Sequence, residues 1–317
     1  MSPGVDPDRV LAGDRVAISR AISIVENDAP GAQLLLDGLF RKTGRAYRLG
    51  ITGPPGAGKS TITSRLARYY RTQGRTVGIL AVDPTSPFTG GALLGDRVRM
   101  GEVELDAGVF IRSMASRGSL GGLSRKATEA ADILDAAGKD VILLETVGVG
   151  QSELDIARAA DTTVVVLVPE SGDSIQAMKA GLMEIADFFV LNKADRAGAD
   201  QAVTGLQMIL GFRASGAWSP AVLKTVASTG EGIVEVAQEV EAHRRYLEES
   251  GGLLHRRRLR LEDRIAGLVE DAVREQLWNA ESRELLHRRA GEALGGGVTP
   301  YGAAGELVTL FRRDHRS

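Results

Sequence analysis

A glycine-rich loop with one lysine has the residue types and the spacing that bind phosphate. Residues 53–60 read Gly-Pro-Pro-Gly-Ala-Gly-Lys-Ser and fit the pattern G-x-x-x-x-G-K-[ST]. In such a loop the glycines let N–H groups point at phosphate oxygens, and the helix that follows presents its positive end to them. We expect Lys59 to bridge the β- and γ-phosphates and Ser60 to supply a hydroxyl oxygen to Mg²⁺. The predicted phosphate-contacting residues are Gly53, Pro54, Pro55, Gly56, Ala57, Gly58, Lys59, Ser60 and Thr61.

A second motif, Asn-Lys-Ala-Asp at 192–195, has the chemistry to recognise guanine. Asp195 can accept hydrogen bonds from guanine N1–H and from its exocyclic amine, whereas adenine has a lone pair at N1 and no amine there. A hydrogen bond to a charged group is worth roughly 1.5–3 kcal/mol, so each lost contact should discriminate about tenfold or more. This motif therefore predicts a guanine nucleotide.

Two further sets of residues should complete the base site. We expect Lys193 to pack its stem over the base and Asn192 to tie neighbouring loops together. The stretch Thr-Val-Ala-Ser-Thr at 225–229 also follows an apolar run. Its backbone groups would close over the base edge through Ala227, Ser228 and Thr229.

Three acidic residues lie where a magnesium ion beside the phosphates could be held. Asp83 and Glu145 each end an apolar run, and the carboxyl ends of parallel strands face the ligand crevice of an open α/β sheet. Asp96 lies in residues 86–100, a glycine-rich stretch that we interpret as a switch segment. With Ser60, these acids form the predicted metal-binding set.

The elements that must position these residues alternate between short apolar runs and helical stretches. Seven runs are rich in Val, Ile and Leu without polar alternation, which is typical of strands buried on both faces. They are Tyr47–Thr52, Val77–Val82, Val109–Arg112, Val141–Leu144, Thr163–Val168, Phe188–Leu191 and Ala221–Val226. Helical spacing occurs between them, at 59–72, 122–137, 199–210 and 231–249. The alternation predicts an α/β fold, a mostly parallel sheet with helices on both faces.

Helical patterns flank this region on both sides. Two helices with a turn at 29–31 are predicted before it, and a long helix at 253–290 and a short one at 301–313 after it. The apolar residues of the two leading helices are Val10, Val16, Ile18, Ile22 and Val25, then Leu34, Leu35, Leu39 and Phe40. The predicted domains are residues 1–45, helical; 46–250, the phosphate-loop domain; and 251–317, a helical arm.

The arm must bury its apolar stripe against the body or against a second subunit. That stripe comprises Leu254, Leu261, Ile265, Leu268, Val269, Val273 and Leu277. The basic run at 255–260 is interpreted as a solvated helix face, because acidic residues follow it closely.

Composition excludes several classes of function. The 39 basic and 41 acidic residues give a net charge of −2, which argues against nucleic-acid binding and against a polybasic membrane anchor. The absence of cysteine excludes disulfides, thiolate metal sites and cysteine nucleophiles. No apolar run reaches about 18 residues, and the polar amino terminus lacks a signal-peptide core. We therefore expect a cytoplasmic protein.

Together these motifs resemble the MeaB/ArgK-type GTPases, relatives of human MMAA, in the SIMIBI class of phosphate-loop GTPases. Glu145 opens Glu-Thr-Val-Gly, which resembles the third G motif of the branch that has Glu in this position. The resemblance covers nearly the whole chain and weakens after about residue 250. It is carried by residues 13–27, 50–61, 81–100, 112–123, 145–153 and 192–195.

The resemblance implies a function that the spacing alone does not give. The family assists adenosylcobalamin-dependent acyl-CoA mutases, chiefly methylmalonyl-CoA mutase, and its GTPase activity gates cofactor delivery and protects the mutase from inactivation. Members are usually homodimers joined through the C-terminal arm. The resemblance therefore implies GTP and GDP as ligands, Mg²⁺ as the metal, a mutase partner and no tightly bound cobalamin on this chain.

The resemblance also implies a catalytic set of Lys59, Asp83, Glu145 and Lys179, the last lying in a third switch at 169–186. Val149 stands where Ras-like enzymes have a glutamine that orients water. Because an apolar side chain cannot orient water, we expect slow intrinsic hydrolysis, with Asp83 positioning water and a partner-ordered loop completing the site.

Three other functions stay open. A metal-delivery GTPase of the hydrogenase or urease type shares the fold but needs a Cys/His site, and here no cysteine exists and no histidine precedes residue 243. A phosphate-loop kinase would need an acceptor pocket and no guanine-specific motif. A non-catalytic module that binds GTP without turnover is disfavoured by the intact Lys59, Ser60, Asp83 and Glu145.

Overall fold

The chain consists of two compact units, Met1–Arg256 and Arg257–Ser317. The computed structural model describes residues 5–84, 103, 105–116, 122–146, 152–169, 181–211 and 218–314. The N-terminal helices belong to the first unit together with the sheet. The three-part division at residues 45 and 250 stays a prediction.

A seven-stranded parallel sheet forms the centre of the first unit. Its strand order is β3-β2-β4-β1-β5-β6-β7, and all six strand pairs are parallel. The strands are β1 Tyr47–Thr52, β2 Val77–Pro84, β3 Val109–Ser116, β4 Val141–Thr146, β5 Thr162–Leu167, β6 Phe188–Asn192 and β7 Val222–Thr225. Every residue of β1, β4, β5 and β6 is buried, which confirms the prediction of strands covered on both faces.

Helices cover both faces of this sheet. On β2, Leu80 belongs to one apolar cluster and Ile79 to another, as the alternation of side chains along a strand requires. The described helices of this unit are α1 Pro7–Leu11, α2 Arg15–Glu26, α3 Ala32–Phe40, α4 Lys59–Thr72, α5 Gly122–Ala136, α6 Ser152–Ala159, α7 Leu182–Ile185, α8 Ala199–Gly211 and α9 Ile233–Glu249. Residues of α4 and α9 pack in one cluster, and residues of α1, α2, α3, α5 and α6 pack in the other.

The N-terminal region has three helices where the sequence predicted two. The predicted first helix is interrupted at Gly13, which has a φ of +78°, and Asp14 then caps α2 by accepting from Val16 N and Ala17 N. Such an N-cap supplies an acceptor to N–H groups that the helix leaves unpaired. The turn between α2 and α3 lies where it was predicted. Three of the apolar residues assigned to these helices are exposed: Val16, Leu34 and Phe40.

The second unit is helical, as predicted, but its long helix is divided. Helix α10, Gly252–Leu277, begins in the first unit and is followed by α11, Ala280–Leu294, and α12, Pro300–Asp314. The prediction of one helix over 253–290 is wrong, because Asn279 starts α11 by accepting from Ser282 N at 2.9 Å. Arg289 on α11 pairs with Glu306 on α12 at 2.7 Å. None of the described helices is long and apolar enough to cross a membrane.

Candidate nucleotide-binding site

The phosphate-loop motif connects β1 to α4 at the carboxyl edge of the sheet. Gly53 has a φ of +134°, and a Cβ there would lie 2.1 Å from the carbonyl oxygen of Val166 on β5. Gly58 has a φ of +90°, and its Cβ would lie 2.2 Å from Nδ2 of Asn192. Both the backbone conformation and the close neighbours therefore exclude a side chain at these two positions.

Lys59 is the first residue of α4, and its ammonium group lies against the loop. Its Nζ donates to the carbonyl oxygens of Gly53 at 2.8 Å and Pro54 at 2.9 Å, and the residue is 5% exposed. Burial raises the pKa of the Glu153 carboxyl on α6, and the positive charge of Lys59 acts in the opposite direction. The structure thus places the lysine cation beside the loop that the sequence predicts to bind phosphate, and close enough to Glu153 to affect the pKa of its carboxyl group.

Two of the predicted metal ligands are in contact. Ser60 Oγ donates to Glu145 Oε1 at 2.5 Å, and Glu145 is 5% exposed at the end of β4. Thr52 and Thr146, the last residues of β1 and β4, share a hydrogen bond of 3.0 Å that holds the two strand ends together. A hydroxyl and a carboxylate are hard oxygen donors of the kind that Mg²⁺ takes, usually with substrate phosphates completing its shell.

The third predicted acid of this edge is located by its backbone. Asp83 lies in β2, where Ala81 pairs with Glu145 and Val82 pairs with Thr146 of β4. The backbone of Asp83 therefore follows these pairs at the same edge of the sheet as Glu145, while its side chain lies outside the described part of the structure. In the described residues, no group of three or more His, Cys, Asp or Glu could hold a metal ion.

Asn192 links the phosphate loop to the loop after β7. Its Nδ2 donates to the carbonyl oxygen of Ala57 at 2.7 Å. Its Oδ1 accepts from Thr225 Oγ1 and from Ala227 N, both at 3.0 Å. Because Asn192 is 3% exposed and uses both ends of its amide, a change here would leave buried groups of two loops without partners.

The rest of the Asn-Lys-Ala-Asp motif forms a turn against the same loop. Lys193 has a φ of +57°, which is uncommon for a residue other than glycine, and Ala194 N donates to the carbonyl oxygen of Thr225 at 3.0 Å. Asp195 is exposed. The two stretches predicted to read the base, 192–195 and 225–229, are thus neighbours.

Arg65 is a residue of this site that sequence reasoning missed. It lies on α4, and its guanidinium donates to the carbonyl oxygens of Ala227 at 3.2 Å and Ser228 at 2.7 Å. An arginine in a helix whose charged residues are all basic looks like an ordinary surface residue in the sequence. The available signal was its place on the helix that starts with the phosphate-loop lysine.

Several predicted site residues fall outside the described part of the chain. They are Asp96 of the segment 86–100, Val149, and Lys179 of the segment 169–186. Within that last segment the structure describes Pro169, Gly181–Ala186 and the short helix α7. The roles assigned to these residues stay predictions.

A second polar cluster lies at the opposite, amino edge of the sheet. His243 on α9 is wholly buried, with Nδ1 2.7 Å from Thr162 Oγ1 and Nε2 3.3 Å from Asp187 Oδ1. Tyr47 also shares a hydrogen bond with Thr162. Burial lowers the pKa of His243 while the charge of Asp187 opposes this effect.

Arg256 completes this cluster and corrects one expectation. Its two terminal nitrogens donate to the two carboxylate oxygens of Asp187 at 2.9 and 2.7 Å, and one of them also donates to the carbonyl oxygen of Asp161. The interpretation of residues 255–260 as a solvated helix face is therefore wrong for Arg256. The planar guanidinium forms a paired contact that the charge pattern of the sequence could not reveal.

Comparison with known proteins gives consistent matches over most of the chain. Residues 18–282 match the family model described as "Methylmalonyl Co-A mutase-associated GTPase MeaB". A protein of the GTPase class from Pyrococcus horikoshii is 48% identical over 305 residues, 94% of each chain. GTPase ArgK of Escherichia coli is 35% identical over 290 residues, 89% of this chain and 88% of that one. The mouse mitochondrial methylmalonic aciduria type A homolog is 34% identical over 328 residues, 96% of this chain and 79% of that one.

A solved structure agrees with the fold. The crystal structure of a LAO/AO transport system kinase superposes with a TM-score of 0.72 and 28% identity, over 96% of both chains. The resemblance on which the sequence motifs converged is therefore confirmed. With its phosphate loop at the carboxyl edge of a parallel sheet and a family match that spans most of its length, this chain belongs to the MeaB family of P-loop GTPases.

Proposed function

We propose that this GTPase is a chaperone for an adenosylcobalamin-dependent acyl-CoA mutase, with methylmalonyl-CoA mutase as the first candidate partner. Binding and hydrolysis of GTP at the carboxyl edge of the sheet would gate cofactor loading and protect the mutase from inactivation. The family description names an association with that mutase, which supports the choice of partner. The cytoplasmic location predicted from the sequence is part of this proposal.

The observation that carries the nucleotide part is the bridge made by Asn192 between two loops. One amide joins the phosphate loop, through Ala57, to the loop at 225–229. In the proposed complex Lys59 leaves or shares its carbonyl partners and pairs with the β- and γ-phosphates, while the residues of 53–61 other than Pro54 and Pro55 supply backbone N–H groups. Asp195 accepts from guanine N1–H and the exocyclic amine, and Lys193 lies over the base.

The predicted magnesium ion fits the residues that the structure describes. Ser60 and Glu145 bring a hydroxyl and a carboxylate oxygen into contact beside the start of α4. Asp83 and Asp96 would complete the set of acids. When bound, the ion would neutralise charge that develops on the phosphate oxygens.

Catalysis would depend on residues that order around the nucleotide. Asp83 is the residue proposed to position the attacking water, because Val149 cannot do so. Lys179 is proposed to report the nucleotide state to the partner, pairing with an acid in one state only. Slow hydrolysis by the isolated protein, faster with a partner-ordered loop, follows from this arrangement.

A homodimer through the helical arm is the second part of the proposal. Along α10 the apolar residues Leu254, Leu261, Ile265 and Leu268 are each at least 40% exposed, at spacings of seven, four and three residues. Such spacing places them on one helix face. A second copy of the arm is a partner that would bury this face.

The test of the proposal is GTP turnover by the purified protein with and without methylmalonyl-CoA mutase. We expect slow turnover alone and a change in turnover, or in adenosylcobalamin transfer, when mutase is titrated in. The same assay with an unrelated acyl-CoA enzyme in place of the mutase serves as the control. If the mutase changes neither GTP turnover nor cofactor transfer, the chaperone role is contradicted. That result would not contradict the nucleotide site.

A further inference from the structure

The link from Arg65 to the base loop has a role that neither the phosphate motif nor the guanine motif assigns. Arg65 lies on α4, six residues after Lys59, and contacts two consecutive carbonyl oxygens, those of Ala227 and Ser228. The donors of a guanidinium form a rigid fork, so two such contacts fix both position and orientation of a loop. One side chain thus connects the phosphate-binding helix to residues predicted to meet the base.

The hydrogen bonds of this loop leave one backbone N–H donor available, in addition to the Ser228 hydroxyl. Ala227 N donates to Asn192 Oδ1, and the N–H groups of Thr229 and Gly230 both donate to the carbonyl oxygen of Val226. Among the described residues, the amide of Ser228 donates to no protein atom, and Ser228 is exposed. A ligand can therefore take this hydrogen bond.

Peptide geometry decides where that donor points. The carbonyl group of Ala227 and the N–H group of Ser228 belong to one trans peptide unit, in which they point in opposite directions. Because Arg65 holds that carbonyl oxygen, the Ser228 N–H must point away from Arg65. Losing the guanidinium would let the peptide rotate and would remove the fixed direction of the donor.

The edge of guanine that Asp195 is proposed to read also carries an acceptor, O6, to which a carboxylate cannot hydrogen-bond. Its N1–H and exocyclic amine lie beside O6 on the same edge of the base, and a carboxylate that accepts from the first two repels the third. Recognition of O6 needs a hydrogen-bond donor, and the loop at 225–229, which holds the amide of Ser228, contacts the motif of Asp195 through the Ala194–Thr225 hydrogen bond.

We propose that Arg65 is a positioning residue for base selection, which holds the 227–228 peptide so that Ser228 N–H donates to guanine O6. This inference rests on the proposed nucleotide site. It assigns to α4 a second task besides phosphate binding, the reading of one edge of the base.

The test measures the affinities of GTP, 6-thio-GTP and ITP for the full chain by calorimetry, in wild type, Arg65→Ala, Arg65→Lys and Arg68→Ala, and the affinity of ATP for wild type alone. In 6-thio-GTP a weakly accepting sulfur replaces O6, while N1–H and the amine are kept. ITP keeps O6 and lacks the amine, so it reports on Asp195 instead. Arg68 is exposed on the same helix and serves as the matched control.

We expect wild type to favour GTP over 6-thio-GTP by about fivefold, the value of one neutral hydrogen bond. In Arg65→Ala this preference should fall below about twofold, and Arg65→Lys, which keeps the charge but not the fork, should lie between. The preference for GTP over ITP should not change in either variant, and Arg68→Ala should behave as wild type.

Three results would overturn this role of Arg65. They are an unchanged preference for GTP over 6-thio-GTP in both Arg65 variants, equal losses for all three nucleotides, and a wild type that does not distinguish O6 from sulfur. If Arg65→Ala does not fold, as judged by its thermal transition, Arg65→Lys decides. Equal affinity of wild type for GTP and ATP would instead contradict the nucleotide site itself.

Discussion

The two edges of the sheet both hold buried charged side chains, but they hold them in different ways. At the amino edge Asp187 accepts from Arg256 and from Thr163 N, so its charge is paired within the protein. The buried His243 bonds to Thr162 through Nδ1, and its Nε2 lies 3.3 Å from Asp187. At the carboxyl edge the loops leave Asp195 and the amide of Ser228 open to a ligand. Burial of charge therefore does not by itself identify a functional site in this molecule, and the proposed nucleotide site is distinguished by open donors and acceptors on adjoining loops.

The difference predicts opposite phenotypes for the two edges. Variants of the carboxyl-edge residues proposed to contact the nucleotide directly, Lys59 and Asp195, should change nucleotide affinity more than the free energy of unfolding, whereas a change at Asn192 would affect both. Variants at the amino edge should lower the free energy of unfolding and leave nucleotide affinity nearly unaltered.

The largest effect is expected for Lys59→Ala at the carboxyl edge. It removes the cation of the phosphate loop, and we expect affinity for GTP to fall by about 100-fold or more, because charge-assisted bonds to phosphate are lost. Calorimetric titration with GTP measures this, and Lys42→Ala, an exposed lysine after α3, is the control. Near-normal affinity would contradict the phosphate site.

At the amino edge, Asp187→Ala should lower the free energy of unfolding by about 2 kcal/mol. The carboxylate accepts from Thr163 N at 2.8 Å and from Arg256, and its loss leaves these donors unsatisfied. Urea denaturation measures the change, with the exposed Asp37→Ala as a control expected to stay within about 0.5 kcal/mol. Affinity for GTP should stay within about twofold, and a larger loss would link the two edges.

Asp195→Asn should change which nucleotide is bound. The new amide can donate to the 2-oxo group of xanthine, so affinity should fall about tenfold for GTP and rise for xanthosine triphosphate. Competition binding with both nucleotides measures this, and Asp37→Asn provides a matched change of charge elsewhere. An unaltered affinity for GTP would mean that the base is read by other residues.

The elements of the sheet were predictable from the sequence because their residues leave few alternatives. The apolar run before Gly53 and the motif after it fixed β1 and the start of α4, and the predicted helix at 59–72 has the bounds that the structure shows. Helix interruptions at Gly13 and Asn279 were not recognised, since apolar periodicity continues across both. Their capping residues, Asp14 and Asn279, were the local signals.

Long basic side chains were the main failure in the site. Arg65 and Arg256 look like solvated helix residues, yet their guanidinium groups reach carbonyl or carboxylate oxygens more than 60 positions away in the chain. Contacts over such distances depend on how helices pack on the sheet. Residue spacing carries that information for apolar stripes but not for single polar contacts.

The smallest effect is expected from pH at the amino edge. Burial lowers the pKa of His243 from its ordinary value of 6.5, so the folded state binds this proton less readily than the unfolded chain does. The free energy of unfolding should therefore fall as pH drops below about 6.5, by at most about 1.4 kcal/mol per pH unit. Denaturation from pH 7.5 to 5.5 should show a flatter profile for His243→Gln, while equal slopes in both proteins would contradict this assignment.

We propose to measure hydrolysis of GTP and ATP by the wild-type protein, with Mg²⁺ present and Lys59→Ala as the blank. In the proposed complex the carboxyl edge of the sheet holds a guanine nucleotide between the phosphate loop and the loop at 225–229, which Asn192 joins. We expect phosphate release from GTP at a rate at least about tenfold above that from ATP, and none above background in the variant. Equal release from both nucleotides, or undiminished release by Lys59→Ala, would contradict this proposal.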